Sequence, residues 1–167
     1  YFDGKEVGKT EVYSDGNFFI NLKLAEKHLW EVGQGRLYDL ELTYGDDVVH
    51  SYFGLRTVSL DGGLFRLNGK VVFQRLVLDQ GFYPDGVWTA PSDEALKHDI
   101  AMSKDAGFNG ARLHQKVFEP RFLYWADKLG YICWGEMPSW GIEPSRPHTM
   151  TIFLREWLDI VRQNYNH

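Results

Sequence analysis

The sequence predicts a mixed fold, antiparallel β followed by α/β, with neither part complete. Residues 1–60 alternate apolar and polar side chains with a period of two, the mark of strands with one buried face. From Leu64 to Pro138, apolar strand-like runs alternate with helical runs three times. Polar or charged groups follow each of those strands: Asp79 and Gln80, then Arg112 and His114, then Glu136. In a (β/α) barrel, functional side chains sit at the carboxyl ends of the strands in this way.

Taken in order, a Ser14-Asp15-Gly16 turn signal precedes Phe18, Ile20, Leu22 and Leu24, which alternate with Phe19, Asn21 and Lys23 and so predict a strand. Tyr38, Leu40, Leu42 and Tyr44 form a second alternation that ends at Gly45-Asp46-Asp47, after which Val48 to Leu55 returns. The Asp61-Gly62-Gly63 stretch breaks the pattern and predicts a boundary, giving domains 1–60 and 61–167.

Val71 to Leu78 is nearly continuous in apolar residues, as expected of a strand buried on both faces, apart from Gln74 and Arg75. Pro91-Ser92-Asp93-Glu94 starts a helix, with Ser92 as N-cap and acids where the helix dipole favours them. Leu96, Ile100, Met102 and Ala106 would face inward and Gly107 would stop it, leading into a strand over Asn109 to Leu113. Glu119-Pro120 opens the next helix, with Phe122, Leu123, Ala126 and Leu129 inward and Gly130 as the stop, followed by a strand over Tyr131 to Trp134. A third amphipathic helix is expected over Ile152 to Tyr165, its apolar face set by Phe153, Leu154, Trp157, Ile160 and Val161.

Composition narrows the function classes. Eighteen basic against twenty-three acidic residues give a net charge of −5, which argues against a nucleic-acid partner. No apolar run approaches the roughly 20 residues that span a bilayer, so no membrane partner is expected. Cys133 is the only cysteine, which excludes an intrachain disulfide. Without an initiator Met at Tyr1 the compartment is unread, whether periplasmic, secreted or cytoplasmic.

The motifs Phe53-Gly54-Leu55-Arg56, Phe65-Arg66-Leu67-Asn68-Gly69-Lys70, the loop from Leu78 to Gly86, Asp99-Ile100, Gly107 to Arg112 and Tyr124 to Gly130 stand in a fixed order along most of the chain. Together they resemble glycoside hydrolase family 2, the family of β-galactosidases and β-glucuronidases. The resemblance implies the C-terminal part of an immunoglobulin-like β-sandwich followed by the first three βα units of a (β/α)8 TIM barrel. A complete sandwich has about seven strands and a closed barrel eight, so the chain is expected to be cut at both ends. The implied activity is that of a retaining exo-acting β-glycosidase acting in carbohydrate metabolism. Its catalytic glutamates follow strands four and seven of the barrel, so they are expected downstream of His167 and this segment alone is expected to be inactive.

The resemblance places Arg112 where an arginine hydrogen-bonds the nucleophile carboxylate and keeps it oriented. Asp79 and Gln80 would accept or donate to sugar hydroxyls, although family members often carry an Asn-x-His element near this point. His114 departs from the Arg-x-x-His-Tyr-Pro spacing of better known members, so a sugar contact competes with a structural role there. Glu136 is expected to partner Arg112 or the pocket wall, and Trp134, with Trp88 and Trp140, could stack on a sugar face. No metal and no cofactor is expected, and the substrate partner is a carbohydrate β-glycoside. Open strand edges further imply a possible homo-oligomer.

Two rivals stand beside this reading. Asp79, His114 and Glu136 could ligate a metal in a barrel hydrolase, though no strand carries the paired histidines common in such sites. Alternatively the chain is a non-catalytic β-sandwich module that binds glycan or a partner chain.

Overall fold

The computed structural model describes residues 1–167, which separate into two units, Tyr1–Val72 and Phe73–His167. The division falls past the expected one. Gly62 and Gly63 turn a hairpin, with φ of +57° and +76°, between β3 (Val58–Asp61) and β4 (Leu64–Leu67). That glycine pair bends the chain back on itself and joins two strands of one sheet.

In the first unit, β1 (Tyr38–Tyr44) and β2 (Asp47–Phe53) form the hairpin expected around Gly45, in register from Tyr38↔Phe53 to Tyr44↔Asp47. A second antiparallel sheet runs β3-β4-β5, where β5 is Lys70–Val71. Tyr38 is fully buried, stacks on Phe53 at 4.8 Å between ring centroids, and donates its hydroxyl to the Glu26 carbonyl at 3.1 Å. Asn68, left-handed at φ +52°, accepts from the Thr57 N–H at 3.0 Å and donates to the Trp30 carbonyl at 2.9 Å. Asn tolerates that conformation better than most residues.

The strand expected over Phe18 to Leu24 is not formed, and Phe19 is 98% exposed. Alternation alone does not make a strand; residues 22–25 run beside residues 7–8, but the bond from the Ala25 N–H to the Val7 carbonyl at 2.8 Å does not extend into a ladder.

The second unit is a parallel sheet, order β6-β7-β8, of β6 (Leu76–Asp79), β7 (Gly110–Leu113) and β8 (Ile132–Gly135). Helices α1 (Asp93–Asp105), α2 (Pro120–Leu129) and α3 (Pro147–Asn164) complete it. The apolar run from Val71 to Leu78 is thus two elements, because Val71 belongs to the first unit and β6 starts only at Leu76. Between them, Arg75 donates from Nε to the Gly107 carbonyl and from its N–H to Asn109 Oδ1, both at 2.8 Å. Asn109 in turn donates from Nδ2 to the Phe73 carbonyl at 2.9 Å, tying the lead-in of β6 to that of β7.

The core joins Leu96 and Ile100 of α1, Ala111 and Leu113 of β7, and Phe122, Leu123 and Ala126 of α2 with Phe118 and Tyr131. Gly110 opens the central strand because a Cβ there would sit 2.4 Å from the Ile132 carbonyl oxygen. Ser92 caps α1 by accepting from the Ala95 N–H, and Gly130 ends α2, both as expected. Met102 is 57% exposed and Ala106 is exposed as well, instead of inward, since of the α1 side chains only Leu96 and Ile100 reach the buried core. Helix α3 begins earlier than expected, with Pro147 in its first turn, and buries no residue completely; Leu154 and Val161 of its apolar face are exposed.

Candidate functional site

The parallel register puts Asp79, Leu113 and Gly135 level at the carboxyl ends of the three strands. Along β7 the side chains of Ala111 and Leu113 are buried and that of Arg112 between them is exposed, as pleating requires. Arg112 is level with Leu78 and Trp134, and its Nε donates to Oε1 of Glu136 just past β8. The other Glu136 oxygen accepts from the Gln115 N–H at 3.2 Å. The hydrogen bond from Arg112 is the main reason that the Glu136 carboxyl is held below the usual glutamate range.

Gln115 is in the left-handed region at φ +54°. Its carboxamide accepts from the Ser139 N–H at 2.8 Å and donates to Ser139 Oγ at 3.2 Å, so the loops after β7 and β8 are stitched together.

Asp79 ends β6 half-buried, and its Oδ1 accepts from the Gly81 N–H at 2.8 Å. Burial pushes its pKa up, only partly offset by that hydrogen bond. Gln80 Nε2 lies 3.0 Å from His114 Nδ1, and an amide nitrogen can only donate, so that ring nitrogen accepts. The His114 N–H donates to the Asp79 carbonyl at 2.8 Å.

Four of the six expected site residues therefore fall into two hydrogen-bonded pairs, Arg112–Glu136 and Gln80–His114. Asp79 is engaged by the turn that follows it, and Trp134 stands 49% exposed beside the first pair. Asp79, His114 and Glu136 do not gather into a cluster that could ligate a metal ion. Gln115, Ser139 and Lys116 carry no signal in the sequence, since no local pattern marks a left-handed glutamine or a lysine that bonds backbone.

No protein-family model matches the chain. A β-glucuronidase-like protein of Formosa agariphila is 32% identical over 159 residues, which cover 89% of this chain and 18% of that protein. Proteins named β-galactosidase match as well. The chain is a relative of the β-glucuronidases and β-galactosidases. Those relatives are hydrolases acting on glycosides, as the family 2 resemblance implied. The solved β-glucuronidase of Parabacteroides merdae superposes with a TM-score of 0.70 at 26% identity, over 84% of this chain and 18% of that one. A Ruminococcus gnavus β-glucuronidase, solved with D-glucuronic acid, shares the fold with a TM-score of 0.78 at 22% identity, over 87% of this chain and 26% of that one. The chain spans about a fifth of the length of the curated relatives it matches, 18% and 23% for the first two.

Proposed function

We propose that this chain is an internal segment of a retaining exo-acting β-glycosidase. In this reading the first unit closes an immunoglobulin-like domain and the second supplies the first three βα units of a (β/α)8 catalytic barrel. The observation that carries it is the Arg112–Glu136 pair at the carboxyl ends of parallel strands, in a chain whose relatives cleave glycosides.

The chemistry needs two carboxyl groups about 5 to 5.5 Å apart, one as nucleophile and one as acid/base. This segment supplies neither. It supplies the wall that orients them: the guanidinium of Arg112, fixed by Glu136, presents its remaining N–H groups to the nucleophile carboxylate and keeps it ionised. Asp79 accepts from a hydroxyl of the terminal sugar, and Gln80 and His114 line the same rim. Trp134 stacks against the apolar face of the ring. The substrate is a β-linked terminal sugar such as a glucuronide or galactoside, and no metal or other cofactor takes part.

The test is turnover of 4-nitrophenyl β-glucuronide, β-galactoside and β-mannoside by the complete protein that carries this segment. Release of nitrophenol from one of them, abolished by a 2-deoxy-2-fluoro glycosyl inactivator and absent from the 167-residue chain alone, supports the reading. Turnover by the chain alone would transfer suspicion to Glu136 as a catalytic carboxylate.

A further inference from the structure

The loop that follows β6 is held in a strained form from outside itself. Val87, a β-branched residue, lies in the left-handed region at φ +56°, where such residues are rarely found. A Cβ on Gly86 would come within 2.0 Å of the Thr89 carbonyl oxygen, so the turn closes too tightly for any other residue. Tyr83 and Val87 exchange backbone hydrogen bonds of 3.1 and 2.9 Å across this turn. Strain of this kind persists only where surrounding contacts over-determine the backbone.

Tyr83 donates its hydroxyl to Asp99 of α1 at 2.7 Å, the Ala90 N–H donates to Glu119 at 3.3 Å, and Lys116, after β7, holds both ends of the loop. Its Nζ donates to the Gly81 carbonyl at 2.7 Å and to the Trp88 carbonyl at 2.8 Å, bracketing both ends of the loop with one ammonium. The ammonium also sits 5.0 Å from the Phe118 ring and 5.7 Å from the Trp88 ring. A Cβ on Gly81, at φ +61°, would meet Nζ and the Phe118 ring each at 2.8 Å, so the approach of lysine to loop leaves no slack. The left-handed Gln115 immediately before turns the chain so that Lys116 reaches back. The bracketed loop carries Phe82 and Trp88, which pack edge to face at 5.1 Å and are 55% and 58% exposed.

We infer that Lys116 is a positioning residue, which locks residues 81–89 so that the Phe82–Trp88 pair forms a fixed aromatic wall for substrate beside the carboxyl ends of the strands. This rests on the glycosidase reading and adds to it the residue that sets substrate affinity at this rim. Lys116 touches no reacting atom, so its loss acts on binding and leaves the chemical step alone. Aromatic rings fixed in place engage the C–H face of a sugar or an aryl leaving group without a further ordering cost.

The test compares Lys116→Met and Lys116→Arg in the complete protein. Met keeps the length and removes the donors; Arg keeps charge and donors. For Lys116→Met we expect amide exchange across 82–89 to accelerate at least tenfold while exchange in α1 and α2 is unchanged. KM for an aryl β-glycoside should rise about tenfold with kcat within threefold, and Lys116→Arg should recover at least part of both effects. Trp88→Ala should raise KM similarly, and the double variant Lys116→Met/Trp88→Ala no further. Unchanged exchange at 82–89 overturns the clamp; faster exchange with unchanged KM, or additive KM effects, overturns the link to substrate. Failure of the glycosidase reading itself would show in the unsubstituted protein, which would release nothing from any aryl glycoside, and the exchange comparison would still decide the clamp.

Discussion

Replacing Asn109 by Ala tests how the second unit holds β6 in register with β7. The Asn109 side chain is 9% exposed and makes two hydrogen bonds, accepting from the Arg75 N–H at 2.8 Å and donating to the Phe73 carbonyl at 2.9 Å. Ala removes both and leaves a donor and an acceptor without their partner, each worth about 1–3 kcal/mol when buried. Arg75 and Phe73 are themselves exposed to solvent on their outer sides, so water recovers part of that loss. The expected cost is therefore about 2 kcal/mol, the lower end of the about 2–6 kcal/mol that two such groups span. In urea, with a slope of about 2 kcal/mol/M for a domain of this size, the midpoint should fall by about 1 M. Asn109→Asp provides the internal control. It keeps the acceptor for Arg75 but sets a carboxylate against the Phe73 carbonyl, so its folded pKa is raised and its stability should improve as pH falls through that value. An Ala variant within about 0.5 kcal/mol of the parent would show that water replaces both bonds and that the β6–β7 register is fixed elsewhere.

Arg112→Lys in the complete protein should lower kcat far more than it raises KM, by about 30-fold to 1000-fold, because a lysine cannot reproduce the planar two-bond grip on a carboxylate; a variant within threefold, with its fold intact, would make Arg112 a structural ion pair. Burial raises the Asp79 pKa, so the folded state binds that proton more tightly than the unfolded chain, and ionisation opposes folding above the usual carboxylate range. Asp79→Asn, which keeps an oxygen for the Gly81 N–H, should therefore match or exceed the parent in thermal stability at pH 7, with the gain shrinking as pH falls through the raised pKa, while sugar affinity drops about tenfold. Free edges on β6 and β8 and the exposed apolar face of α3 should make the isolated chain self-associate; a monodisperse monomer by light scattering at high concentration would count against this.

What was legible in the sequence is what local chemistry decides. Ser92 at the start of α1, Pro120 and Gly130 at the ends of α2, and Gly45 between β1 and β2 each act through neighbours within a few residues. Features that depend on distant partners were misread. The alternation from Phe18 to Leu24 has the pattern of a strand but builds no ladder with the segment beside it, and the apolar run from Val71 to Leu78 gives no sign that it crosses between units. Gly62 and Gly63 look the same in sequence whether they break a chain or turn a hairpin. At the site, the barrel-like order of strands put Arg112 and Glu136 in one place although 24 residues separate them. The reach of Lys116 to a carbonyl 35 residues upstream has no such signature, because backbone acceptors are the same at every position.

The central claim is that this chain walls the active site of a retaining β-glycosidase, and the stereochemistry of its product tests that claim most directly. Proton NMR of the complete protein acting on its best aryl β-glycoside, followed from the first seconds, should show the β-anomer of the free sugar before mutarotation produces any α-anomer, and Arg112→Lys should slow its appearance without changing the anomer. First release of the α-anomer, or no release of sugar from any β-glycoside, would contradict the account.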